Sequence, residues 1–131
     1  MTAIAIDTWA FFEMSKGGPL AAAVERAIDE AEFAFTTREI VAESFSLILQ
    51  RTGGTRVAKA WWDDLRETDI RVFEPPLDEL HAFVTKHGAK GKLSFADLSL
   101  GFAAVRERAE EVATGEAEFR RLGLEPLFAR R

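Results

Sequence analysis

Apolar residues along the chain alternate between short unbroken runs and stretches in which they recur every three or four positions. The first run, residues 3–6, stops at Asp7 and gives way to Trp9, Phe11 and Phe12, which reads as a buried strand ending on a carboxylate. Residues 19–32 place Leu20, Val24, Ala27, Ile28 and Ala31 on one helical face and open with Pro19, a favoured first helical residue. Residues 33–36 read as a second strand. Thr37 is placed to cap a helix that carries Ile40, Val41, Ser44, Leu47 and Ile48 and ends at Gly53-Gly54. Thr55 is placed to cap the next, residues 55–67, before a third strand at 70–73 that Pro75-Pro76 terminates. A helix then runs to about His87, and residues 88–92 form a basic, glycine-punctuated loop. Ser94 caps a helix over 95–109, residues 111–114 form a fourth strand, 116–122 a short helix and 124–128 a fifth strand. Parallel strands need crossover connections, so this order predicts an α/β fold: a mostly parallel sheet of about five strands covered by helices on both faces.

Length and composition narrow this further. The 131 residues fit one domain able to bury a core, and 47% hydrophobic with 30% charged residues excludes disordered and fibrous classes. The absence of cysteine removes disulfides, thiolate metal sites and cysteine nucleophiles, and fits a reducing compartment. No signal-peptide pattern opens the chain and no apolar run reaches the roughly 20 residues that span a bilayer, so a soluble cytoplasmic protein with no membrane association is expected. A net charge of -5 argues against bulk-charge affinity for nucleic acid but leaves room for a local basic rim. There is no internal repeat.

In open parallel sheets ligands bind beyond the carboxyl ends of the strands, and acidic residues gather in that region here. Asp7 ends the first strand, Glu116 follows the fourth, Asp97 lies in the first turn of the helix before it, and Glu43 sits two turns into the helix after the second strand. Each has an ordinary structural reading: Asp97 completes a capping box with Ser94, Glu43 is a solvated helix residue, and Glu116 is favourable charge at a helix start. Asp7, straight after an apolar strand, needs a partner. Converging carboxylates repel unless a cation neutralises them, and oxygen-only ligation selects Mg2+ or Mn2+. The reaction such a site best supports is phosphodiester hydrolysis by a metal-activated water.

Ile6-Asp7-Thr8, residues 37–43, Leu93-Ser94-Phe95-Ala96-Asp97 and residues 112–119 together resemble the PIN domain, most closely the VapC-type toxins of toxin–antitoxin pairs, over essentially the whole chain. The resemblance implies a three-layer α/β/α fold and a metal-dependent endoribonuclease that leaves a 5′-phosphate. It implies that Asp7, Asp97 and Glu116 hold Mg2+ or Mn2+ and that Glu43 tunes them. Thr114 and Thr8 match the family's hydroxyl residues, as second-tier site residues. It further implies a cognate antitoxin that neutralises the toxin with an inserted peptide, and a homodimer. Two departures matter: Glu116 stands where aspartate is usual, with Glu118 an alternative occupant of that role, and Trp9 stands where a small polar residue is usual.

Around the acids, Lys86, His87, Lys90 and Lys92 form a basic cluster that would hold an RNA backbone, with a solubilising loop as the ordinary reading; Arg38, Arg51 and Arg56 are further phosphate contacts of the same kind. His81 and His87 lack partners at metal-ligand spacing. Trp61 and Trp62 lie about 100° apart on their helix, so one is exposed or covered by a partner, and Phe11, Phe12 and Leu20 are placed to line an antitoxin groove. Competing readings are a catalytically silent RNA-binding module, a housekeeping RNA-processing enzyme of the same fold, and a phosphatase using Asp7 as nucleophile. The last wants a second aspartate where Trp9 stands.

Overall fold

A computed structural model describes residues 2–51, 54–88 and 91–130. Five strands, β1 (Ala3–Ile6), β2 (Phe33–Thr37), β3 (Arg71–Phe73), β4 (Glu111–Ala113) and β5 (Glu125–Pro126), form one sheet in the order β3-β2-β1-β4-β5. Every pairing is parallel. The sequence pattern anticipated the strands because those of a two-sided sheet read as continuous apolar runs: Ile4, Ala5, Ile6, Phe35 and Val112 are all buried.

The connections are helices α1 (Thr8–Ser15), α2 (Ala21–Glu30), α3 (Arg38–Arg51), α4 (Thr55–Arg66), α5 (Leu77–His87) and α6 (Phe95–Arg106), with a 3₁₀ helix at Ala117–Leu122. From β1 the chain adds β2 and β3 on one side, then crosses back to add β4 and β5 on the other. Helix α3 packs against α1, α4 and α6, and α5 packs against α6. The reversal of direction lies between β1 and β4, the switch point where doubly wound sheets open a crevice.

Several local expectations are corrected. Helix α1 occupies the aromatic-rich stretch after Asp7; its residues Thr-Trp-Ala-Phe-Phe-Glu-Met-Ser are apolar around most of the circumference, so no 3.6-residue periodicity marks it. Gly54, at φ 97°, occupies the N-cap of α4 in place of Thr55, which is the first helical residue. Helix α6 ends at Arg106 rather than 109, and Arg108 adopts a left-handed φ of 55° in the turn that follows. The short helix is a 3₁₀ helix over residues 117–122 with Glu116 as its N-cap, and β5 is two residues long. Thr37 serves twice: it closes β2, and its hydroxyl accepts from the Ile40 N–H at 3.2 Å while sharing a buried 2.7 Å hydrogen bond with Ser99 of α6.

Phe35 is fully buried and packs edge-on against Phe73 at 5.6 Å and tilted against Phe33 at 5.9 Å. Truncating such a residue costs transfer energy and leaves a cavity. Phe35→Ala is expected to lower unfolding free energy by about 3–5 kcal/mol, read from the urea midpoint at unchanged slope; a loss below about 1 kcal/mol would mean that this part of the core collapses onto the gap.

Candidate active site

Asp7 leaves β1 and is the N-cap of α1: its Oδ1 accepts from the Ala10 N–H at 3.0 Å. Its Oδ2 accepts a short hydrogen bond from the Thr114 hydroxyl, which is itself fully buried just beyond β4. That hydroxyl also accepts from the Glu116 N–H at 2.9 Å, so one threonine fixes the carboxylate after β1 and the backbone of the acid after β4. Glu116 then caps the 3₁₀ helix, its Oε1 accepting from the Glu118 N–H at 3.0 Å. Glu43 reaches in from α3 and accepts from the Thr8 hydroxyl at 2.5 Å.

Asp97 fulfils both of its sequence readings at once. Its Oδ2 accepts from the Ser94 N–H at 3.1 Å and its N–H donates to Ser94 Oγ at 3.1 Å, completing the capping box of α6. It nonetheless lines the same cleft as Asp7, Thr8, Trp9, Glu43, Gly115 and Glu116, a space of about 210 Å³. All four acids singled out in the sequence are thus brought together at the switch point.

The electrostatics follow from this crowding. Burial pushes the Asp7 carboxyl up to about 7 against the pull of its bonds to Thr114 and Ala10, and the charges of Asp97 and Glu43 push the same way. Burial also raises Asp97, opposed by its Ser94 bonds and reinforced by Glu43 and Glu116. Among the described residues no lysine, arginine or histidine lines the cleft. A cluster of hard oxygen donors with unbalanced negative charge suits a divalent cation that prefers oxygen ligands. Among the described residues no three carboxylates stand as a finished cage, and each of the four accepts a hydrogen bond from a protein donor. Carboxylate oxygens retain further lone pairs, so an oxygen that accepts from a protein donor can still meet an ion.

Trp9 forms one wall, stacked on Phe128 at 5.8 Å and 22°. Gly115, which the sequence reading passed over, makes this possible: a Cβ there would lie 2.8 Å from the Trp9 ring. Its only sequence signal is its position between Thr114 and Glu116.

The second-tier and peripheral residues divide. Thr8 and Thr114 sit in the site. Glu118 does not line the cleft; its Oε2 is taken by Arg121 at 3.3 Å and the Lys92 N–H at 3.5 Å. Arg38 is drawn to Glu39 at 2.7 Å and Glu74 at 3.9 Å. Lys86 lines a separate pocket with His87, Lys92 is exposed, and Lys90 lies outside the described residues. Arg51, Arg56 and His81 are exposed, while the His87 ring lies 4.4 Å from that of Phe83. Phe11 is 2% exposed and meets Trp61 edge-on at 5.4 Å, and with Trp61 it lines a groove between α1, α2 and α4; Phe12 is half-buried, and Leu20 and Trp62 are exposed.

A raised carboxyl pKa has a definite sign for stability. The ordinary value is 3.8 and the folded value about 7, so between these the folded chain binds more protons and loses stability as pH rises. Asparagine caps a helix as well as aspartate does. In EDTA, Asp7→Asn is expected to raise Tm relative to the parent at about pH 8 by several degrees more than at about pH 4; an equal difference at both would show that Asp7 carries no buried charge. Gly115→Ala should displace Trp9 and quench or shift its fluorescence, whereas an unchanged spectrum would place the ring elsewhere.

No protein-family model matches the chain, and no curated protein matches it in sequence. Solved structures do match. The crystal structure of VapC20 from Mycobacterium tuberculosis, a sarcin–ricin loop cleaving toxin, superposes with a TM-score of 0.79 over 98% of this chain and 99% of that one, at 18% identity. FitAcB from Neisseria gonorrhoeae superposes with a TM-score of 0.58 over 94% of this chain and 95% of its own, at 17% identity. Similarity at this level speaks for backbone architecture. The chain therefore has the PIN-like α/β fold shared with VapC20, as the order of its acids implied.

Proposed function

We propose that this chain is a metal-dependent endoribonuclease acting as the cytoplasmic toxin of a toxin–antitoxin pair, its 131 residues forming a single domain. The observation that carries the reading is the cleft at the sheet's switch point, lined by Asp7, Glu43, Asp97 and Glu116 with no cationic side chain lining it among the described residues. The neighbour VapC20 is a sarcin–ricin loop cleaving toxin, which supports the substrate class without specifying this chain's target.

Asp7, Asp97 and Glu116 would hold Mg2+ or Mn2+, with Glu43 completing or tuning the set. When bound, the ion supplies charge neutralisation and Lewis-acid polarisation of a phosphoryl oxygen. The chain's own residues do the positioning. Thr114 keeps Asp7 turned toward the cleft and sets the backbone of Glu116; Thr8 holds Glu43; Ser94 fixes Asp97 at the first turn of α6. The face of Trp9, braced by Phe128, offers a platform on which a base or ribose can stack beside the scissile phosphate.

The partner also finds support. A groove of about 420 Å³ between α1, α2 and α4 has an apolar floor that includes Met14, Ile28 and Trp61, and an acidic rim of Glu25, Asp29 and Asp64. That combination suits a basic amphipathic antitoxin segment. Trp62, 39% exposed beside Phe45, supplies an apolar patch for a homodimer contact. Among the described residues no helix is long and apolar enough to cross a membrane.

One observation favours a second reading. The carboxylates do not stand as a finished cage among the described residues, which suits a silent RNA-binding module of the same fold. The two part on metal and activity. Purified protein is expected to cut a mixed pool of structured RNA with Mn2+, and to lose at least about a hundredfold in rate with EDTA or as Asp7→Asn, a group deletion of the size typical of lost electrostatic stabilisation. Cutting that survives both treatments would overturn the assignment of the site. A folded protein that neither cuts nor binds Mn2+ would favour the silent module.

A further inference from the structure

A second concavity lies beside the acid cleft, bounded by the end of α5, the chain leading into α6 and the 3₁₀ helix. It encloses about 300 Å³ and is lined by Lys86, His87 and Arg121 over a floor that includes Leu93 and Leu122. Its charge is opposite to that of the cleft. At a liquid share of roughly 30 Å³ per water, it has room for about ten waters, enough for a phosphate with part of its ribose.

Glu118 ties the two spaces together. Its N–H donates to Glu116 Oε1, on the side of the acids, while its Oε2 accepts from Arg121 Nη1 at 3.3 Å and from the Lys92 N–H at 3.5 Å, on the side of the basic pocket. Arg121 is further placed by Gly91: a Cβ at that position would lie 2.1 Å from Arg121 Nη1, so the guanidinium rests against bare loop backbone. Two features oppose an anion here, the carbonyl end of α5 and the Glu118 charge. An anion therefore has to be held by side chains. The guanidinium suits this role, because its planar fork binds phosphate oxygens in pairs.

We propose that this pocket is a subsite for a backbone phosphate of the RNA strand flanking the scissile bond, with Arg121 as its principal contact and Glu118 as the counter-ion that holds Arg121 in position before RNA arrives. This rests on the endoribonuclease reading. The subsite solves a problem that the acid cleft creates. A net-acidic protein with a carboxylate-lined centre repels the RNA backbone, so attraction has to come from an adjacent, spatially separate group of cations. Glu116 and Glu118 are two residues apart, which limits their Cα separation to about 7 Å, and neighbouring phosphates of one strand are spaced on a comparable scale. Arg121 is a positioning residue. It sets where the strand lies over the acids and takes no part in bond breaking.

The test is equilibrium binding of a fluorescein-labelled, random-sequence, single-stranded RNA dodecamer, followed by anisotropy across a sodium chloride series in magnesium. Asp7→Asn protein serves as the non-cutting parent. Added to that parent, Arg121→Ala is expected to weaken binding about fivefold to tenfold and to reduce the salt slope by about 0.7, the value for one phosphate contact on a single strand. Arg121→Lys should restore the slope while recovering only part of the affinity, and Glu118→Gln should leave the slope intact with binding equal to or tighter than the parent. Arg26→Ala, an exposed arginine on α2, should change neither. Circular dichroism melts establish that each variant is folded. If RNA binds the parent and wild-type protein cuts it, but Arg121→Ala binds with the parent's affinity and slope, the subsite is wrong and the nuclease reading stands. If wild-type protein neither binds nor cuts any RNA, the nuclease reading falls and the subsite falls with it.

Discussion

The structure turns on a carboxylate that has been taken out of water. Asp7 sits at the end of the central strand, 2% exposed, and two other acids push its proton affinity the same way that burial does. Such a group has three options: protonation, a fixed set of hydrogen-bond donors, or a cation. The protein supplies the second in part, through Thr114 and the Ala10 N–H, and these donors do not offset the cost in full because the carboxyl still rises to about 7. The remaining imbalance is what a divalent ion would relieve.

Local helix chemistry achieves the convergence. Asp7 caps α1, Asp97 sits in the capping box of α6 and Glu116 caps the 3₁₀ helix, so three acids from distant parts of the chain are each held by the unsatisfied N–H groups of a helix start. Capping and site construction are the same interactions seen from two sides. One oxygen or face of the carboxylate is anchored, and the helix start it anchors fixes where the group enters the cleft. Glu43, which comes from inside a helix, has no cap to hold it and depends on the Thr8 hydroxyl. Because Thr8 follows Asp7 directly, the same short turn positions two of the four acids.

This explains which features were legible in the sequence. Parallel strands announce themselves as apolar runs, and Asp7 and Ser94-Phe-Ala-Asp97 are readable because strand ends and caps are local signals. Helix α1 left no periodic trace, since it is apolar on almost every side and enters the core between sheet and neighbouring helices. The role of Gly115 was equally hidden, because it depends on Trp9 and Phe128 arriving from either end of the chain. Glu118 shows the limit of spacing arguments. It lies two residues from a cleft acid, yet Arg121 and Lys92 draw it to the other side.

The most direct test of the account is Mn2+ titration calorimetry at about pH 6 and at about pH 8, repeated in two buffers of different ionisation heat. If the cleft is an ion site built around a carboxyl raised to about 7, binding at the lower pH must displace protons and its apparent heat must vary with the buffer. At the higher pH proton release should largely vanish and affinity should rise. Binding with no proton release at either pH, or no binding to folded protein, would contradict the claim that unbalanced carboxylate charge at this switch point is there to receive a metal ion.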